Sequence, residues 1–316
     1  MTDRLDALTR PRAGEDFRSK SRQLPVGYIL AAVGLMLAMV TLIANIAAAN
    51  ADSASTTRET LAWSFGLTTT AFGTIKFAIG VILIGILVRL WLRVESVKES
   101  LRTLKGPGGG EIQTGTVKTS WGTATVGAKT PGRLPIHKMA KTMWGPMLGM
   151  GYMLVIAGLI TSFAWAGDTA NVGLSAWTQG LQFLGEGMLL AGISFLLGTI
   201  LASLREGGGE VQEALGITVK TLKMPLTAKI FVGLMMLGVM ASVLQFILYV
   251  FVAGDIASSP QAWFVWLGPL REVGLGLILA GIVMALVTIG NVLSFQFDRI
   301  KQIVATGNQR LEVQGS

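Results

Sequence analysis

Four ionisable side chains interrupt otherwise apolar stretches of this chain: Lys76, Glu186, Arg271 and Glu272. A charge inside a bilayer costs about 2.5–3.5 kcal/mol or more, so each is expected to face a bundle interior and find a partner. Two bases and two acids sum to zero. The simplest arrangement pairs Lys76 with Glu186 or Glu272, and Arg271 with the remaining acid. Such a set can tie helices together, or it can form a polar station on an ion, proton or solute path. A proton path favours an unpaired carboxylate with a raised pKa, so the balanced set points to the structural role.

Other chemistries lack their residues. The chain has no Cys, which excludes disulfides, thiolate nucleophiles and Cys-held zinc or iron–sulfur centres. Its one His, His137, stands beside Lys138 and reads as a solvated interfacial residue; a His-based metal or haem site has no second ligand. No Ser-His-Asp set can be assembled around it. The runs Gly108-Gly109-Gly110-Glu111 and Gly207-Gly208-Gly209-Glu210 lack the Gly-Lys-Ser/Thr ending of a phosphate loop and are expected to be flexible breaks. No metal, cofactor or enzymatic activity is expected.

The elements that must position the four charges are membrane spans. Among 316 residues, 51% are hydrophobic and 14% charged, against about 25% charged in a soluble domain. Mean hydropathy is +0.60. The apolar residues fall into six blocks, about 26–50, 65–91, 144–166, 181–204, 230–253 and 263–295. Each reaches the roughly 20 residues needed to cross a bilayer, and each is apolar all round. The fold class is therefore all-α integral membrane, with six transmembrane helices. The stretches after the second and sixth blocks keep helical spacing (Val94, Val97, Leu101, Leu104; Phe297, Ile300, Ile303, Val304) and are expected to extend those helices.

The cations set the orientation. The net charge is +8, and 23 of the 26 Lys and Arg fall in 1–25, 89–143, 204–229 and 296–316. The opposite connections hold only Arg58. By the positive-inside bias, both termini and the two long loops are cytoplasmic. The basic excess then reads as affinity for anionic headgroups on that side, not for nucleic acid. The polar first 25 residues and full-length first span do not suit a cleavable signal peptide.

The chain also repeats itself. Basic turns ending in Pro25, Pro135 and Pro225 precede the odd spans, as Pro in a first helical turn allows. Each outer connection runs from an Asp (Asp52, Asp168, Asp255), a residue able to cap a helix, to an Ala-Trp. Those tryptophans, Trp63, Trp177 and Trp263, are placed as interface anchors. Each even span carries two glycines five apart: Gly80 and Gly85, Gly187 and Gly192, Gly276 and Gly281. Helix packing is their expected role, as for Gly145 and Gly149. Aligned on those glycines, Lys76, Phe183 and Glu272 share one column. The tetrapeptide Thr-Val-Lys-Thr occurs at 116–119 and again at 218–221.

Three tandem parallel αα-hairpins follow. The expected organisation is a basic N-terminal segment 1–25; hairpin 26–104; a Gly/Thr-rich loop 105–134; hairpin 135–206; a loop 207–224; hairpin 225–296; and a tail 297–316. Alternation near 112–117 would suit a short β-hairpin, but a mobile linker is the expectation for that loop. The hairpin count and overall length resemble the mitochondrial carriers. Their acidic residue two places after the odd-span Pro is missing here, where Gly27, His137 and Thr227 stand, so the resemblance implies architecture only.

These features point to a non-catalytic multi-pass membrane protein, a scaffold or anchoring subunit that binds other membrane subunits or itself. The alternative is a small-solute or ion transporter or channel using the charge cluster. Short loops suit a plasma membrane, of the bacterial inner-membrane type.

Overall fold

The computed structural model describes residues 23–50, 53–103, 114–120, 122–132, 135–254 and 260–314. Six helices dominate: α1 (Gln23–Ala49), α2 (Ala54–Thr103), α3 (Pro135–Gly167), α4 (Val172–Ala214), α5 (Leu226–Ala253) and α6 (Pro260–Gln314). All six are long and apolar enough to cross a membrane, and the chain has the build of a multi-pass membrane protein. Proline serves the helix starts as anticipated. Pro135 and Pro260 open α3 and α6, Pro25 lies in the first turn of α1, and Pro225 immediately precedes α5 in an extended conformation. The cap of α4 is not Asp168. Asn171, three residues later, accepts from the Leu174 N–H at 3.0 Å, while Asp168 donates and accepts through its backbone in the turn. The other two outer Asp residues lie outside the described residues.

Helix α4 is the hub. Of its spanning window 78% is buried, against 11% for α1. It contacts α2, α3, α5 and α6, whereas α1 packs on α2 alone among the substantial contacts. The first and third hairpins are thus joined chiefly through α4. Leu148 of α3, 3% exposed, wedges between α2 and α4. A Cβ on Gly80 or Gly192 would come within 2.9 or 2.7 Å of its side chain. Close backbone approaches join partners within hairpins. Cβ atoms on Gly27, Gly151 and Gly238 would lie 3.4, 2.9 and 2.7 Å from the carbonyl oxygens of Ala78, Gly185 and Gly274. Those three carbonyls belong to one alignment column, two residues before the first glycine of each pair.

The segment expected to be a mobile linker is instead a β-hairpin. Strands β1 (Gly115–Thr119) and β2 (Gly122–Gly127) pair antiparallel, and β3 (Val219–Leu222) adds to the far side of β2. Gly122 turns the hairpin with a φ of 131°. The two Thr-Val-Lys-Thr copies supply the two outer strands. Alternation places Ala124 and Leu222 on one face, where they pack with Val292 and Phe295 of α6. Two separate loops thereby become one sheet over the helix ends, a pairing that neither short strand announces alone.

The glycines at 207–209 are not a break. They lie within α4, which runs on to Ala214. Their successive 100° steps aim them at three neighbours: a Cβ on Gly207 would meet Val94 of α2, on Gly208 Gln296 of α6, and on Gly209 Thr130 beyond β2. A segment read as a loop is a packed helical junction. The earlier glycine run at 108–110 lies outside the described residues.

Candidate functional site

Three of the four charges gather, two cations about one acid, rather than all four in two pairs. Glu186 is 2% exposed at the centre of α4. Lys76 Nζ of α2 donates to its Oε1 at 2.8 Å, and Arg271 Nη2 of α6 donates to its Oε2 at 2.7 Å. One carboxylate therefore joins three helices from three hairpins. Charge-assisted bonds to both oxygens supply what a buried carboxylate needs. Glu272 does not enter this core. Its side chain is 73% exposed, and its nearest cationic nitrogen is Arg271 Nη1 at 3.6 Å. The one-to-one pairing expected from charge balance gives way to a shared acid, because successive residues on a helix point about 100° apart.

Phe183 completes the cluster. The Arg271 guanidinium carbon lies 3.8 Å from its ring centroid, and Phe183 stands one turn before Glu186 on α4. The ring also meets Phe65 and Tyr249 edge-on, at 6.0 and 5.8 Å. Phe183 shares an alignment column with Lys76 and Glu272, but the alignment alone assigned it no part. The residue before Phe183 on the side of the interhelical turns, Gln182, is fully buried and donates to the Gly66 carbonyl at 3.0 Å. A cavity of about 540 Å3 opens at that end, lined by residues including Asn45, Arg58, Phe65, Trp165 and Gln179, and by none of the four charges.

The remaining expected residues divide. Gly80, Gly187, Gly192 and Gly281 receive Leu148, Ser242, Leu148 and the Phe231 backbone, as packing glycines should. Gly85 is buried. Gly276 meets nothing within 4 Å, and neither do Gly145 and Gly149, so the packing role fails for these three within this chain. Trp63 and Trp263 are half-buried and Trp177 is 40% exposed, all close to the interhelical turns. Trp263 lies 5.7 Å from Trp266. Among the described residues, no three His, Asp or Glu side chains gather as a metal site.

A second junction went unseen in the sequence. Gln212, 2% exposed near the end of α4, accepts from the Lys220 N–H at 2.9 Å and donates to the Lys220 carbonyl at 3.1 Å. Its amide thus behaves as one more strand residue beside β3. Arg299 of α6 donates to the same Gln212 oxygen at 3.1 Å and to the Thr218 carbonyl at 2.9 Å. Only its place after the Gly-Gly-Gly-Glu run hinted at a role.

No family model, curated protein or solved structure matches this chain.

Proposed function

We propose that this protein is a non-catalytic membrane scaffold, an anchoring subunit that holds another membrane protein against α6. The observation that carries the reading is Glu272. It projects from the exposed face of α6, and that face is apolar elsewhere: Gly276, Leu279, Val283, Leu286, Gly290 and Leu293 follow at alternating three- and four-residue steps. This is the spacing of a helix–helix seam. Gly276 and Gly290 would let a partner approach closely. The stripe continues through Phe297 and Ile300, 63% and 54% exposed, beyond the length that a bilayer core covers. Lipid does not satisfy a carboxylate, so the seam calls for a transmembrane helix bearing Lys or Arg level with Glu272. A second copy of this chain in parallel would set two Glu272 side chains together, a like-charge contact that disfavours self-association.

The Lys76–Glu186–Arg271 cluster supports the same reading. Its acid is saturated by two cations, which suits an assembly pin better than a conducting station. The three like-oriented hairpins and the cytoplasmic placement of both termini and the sheet belong to this proposal. They rest on the repeats and on the cation bias, and a bacterial inner membrane is the proposed location.

A photo-reactive amino acid at Val283, in the native membrane, tests the partner. The expected product is an adduct to a transmembrane helix carrying Lys or Arg at matching depth. Glu272→Lys should abolish it, and exchanging the partner's base for Glu should restore it. Adducts to lipid alone, or to a second copy of this chain, would overturn the proposal.

A further inference from the structure

Between the sheet and the emerging end of α6 lies a cavity of about 300 Å3. Its lining includes Lys118 of β1, Lys220 of β3 and Arg299 of α6, with Ser120 at the turn and Asp298 as the acid. The two lysines are the same position of the repeated Thr-Val-Lys-Thr. Sheet formation brings the two copies from loops about 100 residues apart into one sheet, whose register sets Lys220 on the α6-facing side with Ala124 and Leu222 and Lys118 on the opposite face.

Cations outnumber acids in this lining. Among the described residues, the hydrogen bonds of Arg299 go to neutral acceptors: Gln212 Oε1, the Thr218 carbonyl and Gln302 Oε1. Three of its five N–H groups are thereby used, and two remain. Burial, and then the neighbouring Arg299, push the Lys220 ammonium below its usual range. Two cations held together in this way repel each other, and a bound anion would relieve the repulsion. The volume lies at the lower limit of small-ligand sites. Phe295 and Val117 give the lining an apolar part.

We propose that this cavity is a phosphate-binding site, taking a phosphate ester held by Lys220 and the remaining N–H groups of Arg299. Guanidinium and ammonium donors match phosphate oxygens in charge and geometry. The ester can come from an anionic phospholipid headgroup, since the cavity lies where α6 leaves its apolar span, or from a small soluble phosphate compound. The site is independent of the seam on α6, so the scaffold reading and this one can fail separately.

The test uses the full-length protein in nanodiscs and in detergent. Native mass spectrometry reads retained phosphatidylglycerol against phosphatidylcholine. Thermal unfolding reads the response to glycerol phosphate at constant ionic strength, with chloride as the reference salt. Lys220→Gln should weaken binding at least tenfold. Lys129→Gln, an exposed charge outside the cavity lining, should change it less than twofold. Retention of phosphatidylglycerol without a glycerol phosphate response assigns the site to headgroups; the converse assigns it to soluble esters; both support the proposal. If neither probe binds saturably, or if Lys129→Gln weakens binding as much as Lys220→Gln, the proposal fails. If Lys220→Gln unfolds, Lys220→Met, which keeps the apolar stem, replaces it, with the same loss expected.

Discussion

Arg271 lies 3.8 Å over the ring of Phe183, and the same α4 turn presents Glu186 to its Nη2 at 2.7 Å. Face and acid, three residues apart on one helix, grip one guanidinium from two directions. The ring contributes electrostatic attraction from its π face in addition to apolar packing. Phe183→Leu keeps most of the apolar volume and removes that face. It should destabilise the protein by about 1–2 kcal/mol, read from thermal unfolding in detergent, and Phe183→Trp should recover part of the loss if the larger ring fits. Equal loss in both variants would reduce Phe183 to a space-filler.

The shared acid makes a stronger prediction. Glu186→Gln leaves Lys76 and Arg271 near one neutral amide. The expected cost is about 3–5 kcal/mol, the range for breaking a buried ion pair. The triple replacement Lys76→Met, Glu186→Leu, Arg271→Met removes all three inward-facing charges at once and should recover most of that stability, because no uncompensated ion remains inside the bundle. Folded yield and unfolding midpoints of the two proteins decide the matter. A triple variant no better than Glu186→Gln would show that the cluster does more than pin helices.

Spans and charges were legible because hydropathy and ionisation are local properties of residues. The six helices could be read from block length, and Lys76, Glu186 and Arg271 from the cost of charge in an apolar run. Which charge faces inward was not legible. Arg271 and Glu272 are adjacent in sequence, and only the rotation of α6 against α4 sends one in and the other out. The sheet was illegible for a different reason: β3 belongs to a loop about 100 residues from β1, and three short strands acquire stability only once paired. Likewise, a glycine run looks the same whether it breaks a helix or lets neighbours close upon it.

That last ambiguity yields a contrast between adjacent residues. A Cβ on Gly207 would come 2.6 Å from Cγ2 of Val94, a stiff β-branched side chain. A Cβ on Gly208 would strike the amide end of Gln296, which can swing aside. Alanine gains about 1 kcal/mol over glycine in a helix interior, and overpacking costs about 1–3 kcal/mol. Gly207→Ala should therefore destabilise the protein, while Gly208→Ala should be neutral or stabilising. Unfolding midpoints of the two variants check the order; a flexible break at 207–209 would make both changes similar.

The proposed orientation has its own check. Short reporter tags near residues 56, 172 and 259 should be accessible from outside the cell, and tags near 115, 215 and 314 from the cytoplasm. Lys98 of α2 bonds Glu210 of α4 at 2.8 Å, tying the sheet ends of those helices to one level. The tags at 115 and 215 must then report the same side. Opposite answers from those two would remove the parallel-hairpin arrangement altogether.

Gln212 ties the sheet to both α4 and α6, and its side-chain amide is fully used. The oxygen accepts from Lys220 and Arg299, and the nitrogen donates to the carbonyls of Gly208 and Lys220. Gln212→Met keeps a similar volume and leaves these groups without that partner, at about 1–3 kcal/mol for each one that stays buried. Because β3 is four residues long and hydrogen-bonded to β2 on its other side, local loosening should precede global unfolding. Hydrogen exchange at 219–222 should speed up at least tenfold, while exchange around Glu186 in the middle of α4 stays unchanged. Gln212→Glu is the sharper comparison. It keeps both acceptor bonds and strengthens the one from Arg299, yet it turns a carboxylate toward two carbonyls. Protection of the Lys220 amide should then lie between wild type and Gln212→Met. If both variants exchange like wild type, β3 is held by β2 alone, and the amide contributes nothing to anchoring the sheet.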